Sequence, residues 1–228
     1  YWQFAQAIRG MKLACEQFET PVTGGNVSLY NQSEDGPIFP TPTIGMVGLI
    51  DDTAAHMSLD FKAAGHKLYL LGKQVEDFHC SEYLYSYCGV KLSPAPYVNL
   101  VEEHQLQKCL YRLIGENAIA SAHDISDGGL IVTLLESAFV RGMGFSLHTD
   151  PAMRVDAFLY GEAGGRVVVS VSPNREAAFL ATAATFGVET TLLGETGGDR
   201  LLIDGKDLGA IVDFHSSYLE GLEKAMNP

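Results

Sequence analysis

A pair of glycines followed by polar residues at alternate positions is the stretch of this sequence best suited to chemistry. Gly24 and Gly25 lack a Cβ, so the backbone can adopt positive φ there and approach another molecule closely. Asn26 and Ser28 are two residues apart, which places both on one face of a β-strand. Backbone N–H groups of such a turn can bind an anion, and an amide oxygen is a hard ligand suited to Mg²⁺ beside phosphate. The same residue types are common in ordinary turns and strands, so spacing alone leaves a structural role open.

A second polar loop, residues 123–129, combines a histidine with two aspartates where a strand of small residues meets a helix. Junctions of this kind carry function in α/β domains. His123 is a candidate base, Ser126 or Asp127 a candidate helix cap, and the free N–H groups of the helix a candidate anion site. Capping and glycine packing also explain the loop without a ligand, and the acidic pair Asp124 and Asp127 would repel a phosphate unless a metal intervenes.

A third candidate segment, residues 161–166, is rich in glycine and contains one acid and one base. Arg166 is predicted to pair with Glu162 or with a phosphate, and the internal ion pair is the favoured interpretation.

The elements that position the first stretch are predicted from periodicity. Apolar residues recur at helical spacing near the start of the chain and predict an amphipathic helix there; they are Phe4, Ile8, Met11, Cys15 and Phe18. The chain starts inside this helix without an N-cap, so further sequence is expected upstream. Residues 26–31 and 43–50 are predicted to be strands of a hairpin.

Strands and helices alternate beyond a predicted domain boundary near residue 60. The predicted strands are 66–71, 118–122, 166–171, 188–193 and 200–203, and the predicted helices are 81–88, 100–117, 128–141, 175–186 and 208–226. This alternation predicts a layered α/β domain in which helices cover a sheet.

Composition narrows the class of protein. Of the 228 residues, 46% are apolar, which is typical of a globular chain. There are 15 Lys and Arg against 28 Asp and Glu, and the resulting net charge of −13 argues against binding to nucleic acid. No apolar run approaches the roughly 18 residues of a membrane span. The four cysteines show no metal-binding spacing and are predicted to be reduced thiols of a cytoplasmic protein.

Several motifs together resemble phosphoribosylformylglycinamidine synthase, an ATP-dependent, amidine-forming enzyme family of purine biosynthesis. They are residues 5–11, 23–31, 40–48, 122–130 and 161–166. The resemblance implies a layered α/β (α+β) fold of the AIR-synthase-like (PurM-like) type. Residues 1–60 would be the later part of an ATP-binding-side domain, and residues 61–228 a complete C-terminal α/β/α domain. The chain is thus expected to be a C-terminal fragment of a larger enzyme.

The resemblance also implies roles for particular residues. Gly25 would contact ATP, Asn26 would ligate Mg²⁺, and Ser28 would touch the substrate. In the paired copy of the domain a Ser-Glu-Ser-Gln-type stretch holds substrate, whereas residues 161–166 lack its serines and glutamine. That departure implies that this copy keeps the backbone shape but has lost side-chain recognition.

The resemblance further implies what this chain lacks. The catalytic histidine and the other acidic metal ligands of the family are expected upstream, in sister synthetase domains. No Cys/His/Glu amidotransferase unit is recognisable, so ammonia is expected from a separate glutaminase subunit or domain. The fragment alone is therefore predicted to be inactive.

Two other classes of function stay open. One is a related ATP-dependent synthetase of the same superfamily, such as aminoimidazole ribonucleotide synthetase or selenophosphate synthetase. The other is a non-catalytic role, in which the second domain is a structural or nucleotide-storing half that pairs with a sister domain.

Overall fold

The computed structural model describes residues 1–28, 30, 32–38 and 41–227. The chain divides into two units, Tyr1–Asp51 and the remainder from Asp52 onward. The predicted boundary near residue 60 stays a prediction. None of the described helices is long and apolar enough to cross a membrane, and all four cysteines are free thiols.

The first unit begins with the predicted amphipathic helix. Helix α1 spans Trp2–Phe18. Its C-cap is Glu19, which adopts the left-handed conformation with φ 56° and donates its N–H to the carbonyl of Cys15. The helix has no side-chain cap at its start and no fully buried residue within this unit. The helix prediction is confirmed.

The predicted hairpin of the first unit is wrong where the structure describes it. Residues 20–28, 30 and 41–50 form no strand, and the paired backbone is a short hairpin of β1, Gln32–Ser33, and β2, Gly36–Pro37. The remaining residues of the predicted first strand, 29 and 31, lie outside the described part, as does Pro40 of the third motif. Apolar and branched residues favour a strand only where a neighbouring strand completes the pairing, and residues 43–50 have no described partner in this unit.

The second unit is built on a seven-stranded sheet in the order β4-β6-β3-β7-β5-β8-β9. Neighbouring strands are antiparallel except β5 and β8, which are parallel. The strands are β3 Lys67–Leu71, β4 Ser121–Asp124, β5 Phe145–Leu147, β6 Val167–Val171, β7 Thr190–Thr196, β8 Arg200–Ile203 and β9 Lys206–Ala210.

Helices cover both faces of this sheet. They are α2 Leu100–Gly115, α3 Gly129–Phe139, α4 Val155–Tyr160, α5 Glu176–Thr185 and α6 Ile211–Met226, and a π-helix spans Tyr83–Tyr87. Strand β3 shows the layering, because Leu68 and Leu70 pack with α3, α4 and α6, whereas Tyr69 and Leu71 pack with α2 and α5. A strand buried on both faces has a continuous apolar sequence. The predicted layered α/β class is confirmed.

Several elements differ from the sequence prediction. The predicted helix 81–88 is a single π-helical turn. Strand β5 and helix α4 were not predicted, since neither is long enough to show a period. The closing helix begins at Ile211 rather than 208, because Asp204 and Gly205 adopt positive φ and turn the chain back as strand β9 against β8.

Candidate functional site

The glycine-asparagine stretch of the first unit brings two predicted site residues together. The Nδ2 atom of Asn26 donates to the Oγ atom of Ser28 at 3.2 Å, and both side chains are exposed. Gly24 and Gly25 do not adopt positive φ, and no heavy atom lies within 4 Å of a Cβ added at either residue. The two side chains therefore lie together as predicted, although the backbone is not a regular strand, and open space remains beside the glycines.

A metal centre is not assembled by the described residues alone. Residues 1–28, 30, 32–38 and 41–227 contain no group of three or more His, Cys, Asp or Glu side chains that could hold a metal ion. In the Asn26 side chain the nitrogen is engaged by Ser28, so the carbonyl oxygen is the ligand atom that fits Mg²⁺. The metal role of Asn26 stays a prediction that needs ligands from elsewhere.

The second candidate, His123, is bound to helix α3 through both ring nitrogens. Its Nδ1 atom lies 3.1 Å from the carbonyl oxygen of Thr133 and 3.2 Å from Ser137 Oγ. Its Nε2 atom lies 3.5 Å from a carboxylate oxygen of Glu136. These contacts fit a residue that joins β4 to α3 better than they fit a base.

The start of α3 differs from the predicted cap. Gly128 is the N-cap with φ 85°, and neither Ser126 nor Asp127 provides a side-chain cap. The N–H of Gly128 donates instead to the Oε1 atom of Glu162 at 2.7 Å. The helix terminus proposed for an outside anion thus already holds a carboxylate of this chain. Asp124 and Asp127 are exposed.

Glu162 has a second partner from another segment. Its Oε1 atom also accepts the N–H of Glu82 at 2.9 Å, at the start of the π-helix. Burial raises the pKa of Glu162, the two N–H groups lower it, and the carboxylates of Asp127 and Glu82 raise it further, so that the net direction is upward. The contacts of Glu162 with the N–H groups of Gly128 and Glu82 were not predicted from the sequence.

Arg166 is buried among carbonyl oxygens instead of pairing with Glu162. It is 2% exposed and donates from Nε to Ala163 O at 2.9 Å, from Nη2 to Gly161 O at 2.8 Å, and from Nη1 to Gln74 Oε1 at 3.2 Å. Burial lowers the pKa of Arg166 to about 10, and the nearby charge of Asp77 partly opposes that shift. The predicted pairing is therefore replaced by an internal clamp on the backbone.

A cavity that the sequence did not indicate lies beside the same glycine-rich segment. It has a volume of about 140 Å³ and lies between the start of α2, the residues after β3 and Gly164–Gly165. The charged side chains that line it are Lys73, Glu102, Glu103 and Glu189. Three carboxylates against one ammonium group make this cavity unfavourable for a phosphate.

Comparison with protein families decides the relationship of the chain. Residues 63–204 match the model of the AIR synthase related protein, C-terminal domain, and residues 1–50 match the model of the N-terminal domain of the same family. The chain belongs to the AIR synthase related protein family. The predicted AIR-synthase-like character of both parts of the chain is thereby confirmed.

Relatives of this AIR synthase related chain carry the name phosphoribosylformylglycinamidine synthase subunit PurL, including proteins from Carboxydothermus hydrogenoformans and Moorella thermoacetica. The protein from Carboxydothermus hydrogenoformans is 42% identical over 197 residues, covering 86% of this chain and 27% of the relative. The protein from Moorella thermoacetica is 38% identical over 202 residues, covering 89% of this chain and 28% of the relative. The chain thus spans less than a third of these relatives, and the predicted resemblance to their family is confirmed.

A solved structure supports the fold of the AIR synthase related chain. Thermotoga maritima PurL, complexed with FGAR, superposes with a TM-score of 0.61 and 16% identity, covering 71% of this chain and 29% of that structure. At this identity the likeness concerns the fold.

Proposed function

We propose that this chain is part of an ATP-dependent C–N ligase of purine biosynthesis. The reaction converts formylglycinamide ribonucleotide (FGAR), ATP and glutamine-derived ammonia into formylglycinamidine ribonucleotide, ADP and phosphate. The identity of 42% to the Carboxydothermus PurL subunit over most of this chain carries the proposal. The proposed site of action is the cytoplasm.

The chemistry is a transfer of the γ-phosphoryl group followed by substitution at carbon. The amide oxygen of the substrate attacks the γ-phosphorus, and the bond to the β-phosphate oxygen breaks to release ADP. Ammonia then adds to the activated carbon, and the bond from carbon to the phosphorylated oxygen breaks to release phosphate. The demand on the protein is stabilisation of charge on the transferring group by oriented donors and cations.

We assign the stabilisation of this charge to residues of the first unit. Gly25 gives backbone access to ATP, because no heavy atom beyond its chain neighbours lies within 4 Å of a Cβ added there. The Asn26 oxygen is the Mg²⁺ ligand, and Ser28 contacts the substrate while it orients the Asn26 amide through the 3.2 Å hydrogen bond. Mg²⁺, when bound, neutralises phosphate charge. The remaining metal ligands and the catalytic histidine belong to sister synthetase domains, and ammonia comes from a glutaminase subunit or domain.

The first test is ammonia-driven, FGAR-dependent release of ADP by the complete polypeptide that carries this chain. The Asn26→Ala variant is expected to lose at least about 100-fold in rate, since a lost charge-stabilising group typically costs that much. Gln32→Ala is the matched control, because it removes an exposed amide six residues away in the same unit. The isolated 228-residue chain is expected to release no ADP.

The outcomes separate the alternatives. Activity with FGAR that survives Asn26→Ala would keep the reaction and refute the site. Activity with a substrate of aminoimidazole ribonucleotide synthetase or selenophosphate synthetase, and none with FGAR, would refute the reaction. ADP release by the isolated chain would contradict the need for sister domains.

A second candidate function is a structural half, supported by the hydrogen bonds that Glu162 and Arg166 make with partners from their own unit. Side chains engaged in this way hold a loop and do not present themselves to a ligand. Full activity after substitution of His123, Asp124 and Asp127 would favour this candidate, and a large loss with fold retained would contradict it.

A further inference from the structure

The end of helix α4 is a meeting point of three segments. Tyr160 is the last residue of α4, and its ring stacks on Tyr83 of the π-helix with centroids 5.0 Å apart and planes inclined by 4°. Two residues later, Glu162 accepts from both Gly128 and Glu82 through one oxygen atom. The segment after α4 is thus in contact with the start of α3 and with the start of the π-helix.

The contact between α3 and α4 leaves no space for a side chain at Gly129. A Cβ added at Gly129 would lie 2.6 Å from the carbonyl carbon of Tyr160 and 2.8 Å from the carbonyl oxygen of Leu159. Real Cβ atoms do not approach backbone atoms so closely, so the first residue of α3 rests directly on the backbone of α4.

Glu162 supplies what the two helix starts lack. Neither Gly128 nor Glu82 caps its own helix through a side chain. The start of an α-helix leaves N–H groups unpaired and favours negative charge, which a carboxylate satisfies. A single carboxylate oxygen therefore serves two segments that are 34 and 80 residues away from it in sequence.

We propose that Glu162 is a shared cap that couples the loop of residues 123–128 to the π-helix Tyr83–Tyr87, so that both segments are held, and released, together. This coupling is a property of the fold and does not depend on the proposed ligase function.

The charges around Glu162 give the coupling a dependence on pH. Asp127 faces it from the loop before α3, and Glu82 faces it from the π-helix, while the nearby Arg166 directs its guanidinium to carbonyl oxygens of the 161–166 segment. Burial and these two carboxylates raise the pKa of Glu162. A raised pKa contributes stability that is present below the pKa of the unfolded chain and is lost as the pH rises through the folded value.

Amide hydrogen exchange of the 228-residue chain, resolved by NMR, tests the proposal. Glu162→Ala is expected to accelerate exchange of the Gly128 and Glu82 amides in parallel, by about tenfold or more, because hydrogen bonds to a charged acceptor are lost. Glu162→Gln keeps an acceptor oxygen and is expected to retain protection of both amides within about threefold. Glu102→Ala is the control, since that carboxylate accepts from Tyr97 elsewhere in the unit.

The titration of the wild-type chain gives a second measurement that needs no truncated side chain. The amide resonances of Gly128 and Glu82 are expected to shift with one shared midpoint, and that midpoint is expected to disappear in Glu162→Gln. Loss of protection at only one amide, protection unchanged at both in Glu162→Ala, or separate midpoints in the wild type would each overturn the proposal. Should Glu162→Ala not fold, the titration decides.

Discussion

The Nη2 atom of Arg166 donates to the carbonyl oxygen of Gly161 at 2.8 Å. This hydrogen bond joins the two ends of the six-residue segment 161–166. The Nε atom of the same guanidinium binds the carbonyl of Ala163 at 2.9 Å, and Nη1 reaches Gln74 beyond β3 at 3.2 Å. A buried cation is tolerated only where its hydrogen-bonding positions are satisfied, and here carbonyl oxygens satisfy them. The shape of the glycine-rich segment is therefore held from inside the protein.

Replacing this guanidinium by an ammonium group is expected to destabilise the chain. A lysine at position 166 cannot reach three acceptors in the geometry of the planar fork, so Arg166→Lys should lower the free energy of unfolding by about 2–4 kcal/mol. Urea denaturation monitored by circular dichroism measures the change. Arg175→Lys, at an exposed position, should stay within about 0.5 kcal/mol of wild type. Equal stabilities of the two variants would contradict the clamp.

The start of α3 permits a comparison of two glycines that both have positive φ. Gly129 has φ 73° and rests against the backbone of Tyr160, whereas Gly142 has φ 61° and no atom within 4 Å of an added Cβ. Gly142→Ala should cost about 1–2 kcal/mol of stability from the left-handed conformation alone. Gly129→Ala should cost at least about 3 kcal/mol, since backbone overlap adds to that strain. Denaturant midpoints of the two variants measure the difference, and similar midpoints would refute the close packing.

Runs of apolar residues made the central strands predictable from sequence. Strand β3 sends alternate side chains into two separate cores, so every position from Leu68 to Leu71 is apolar. Strand β5, Phe145–Leu147, depends instead on pairing with β7 and β8, which follow it in the chain by more than 40 residues. Three residues contain too little pattern to reveal such distant partners.

The candidate sites show the same limit. Asn26 and Ser28 were predicted to lie on one side of a strand, and their side chains are hydrogen-bonded, although residues 20–28 form no strand. The partners of Glu162 come from two segments that are distant in sequence. They could not be predicted from the residues around position 162. Arg166 was predicted to pair with Glu162, but in the structure it is buried and directed toward carbonyl oxygens. Its burial is a tertiary property, so local sequence could not reveal it.

Helix α2 has a side-chain cap whose contribution can be measured. The Oδ1 atom of Asn99 accepts from the backbone N–H of Val101 at 3.0 Å and of Glu102 at 3.3 Å. Asn99→Ala leaves both N–H groups without this acceptor and should lower the free energy of unfolding by about 1 kcal/mol. Asn99→Asp preserves the acceptor and should retain wild-type stability. Thermal unfolding of the two variants distinguishes the cap from a general effect of substitution at this position.

The environment of Asp60 makes the stability of the second unit depend on pH in the acidic range. It is 7% exposed, binds Lys62, and accepts from Ser58 Oγ and Arg141 Nε, each at 2.7 Å. Burial alone raises the pKa of Asp60, but the hydrogen bonds from Lys62, Arg141 and Ser58 outweigh it and hold the pKa well below its usual range. A depressed carboxyl pKa contributes stability above the unfolded value, and that stability is lost as the pH falls toward the folded one.

Asp60→Asn should therefore differ most from wild type at neutral pH, and the difference should shrink between about pH 5 and pH 2. Urea denaturation of both proteins across this range measures it. Arg141→Gln should have a smaller effect, because the Arg141 side chain is 52% exposed and solvent screens its charge. A difference between Asp60→Asn and wild type that is the same at every pH would mean that packing, and not ionisation, carries the contribution of Asp60.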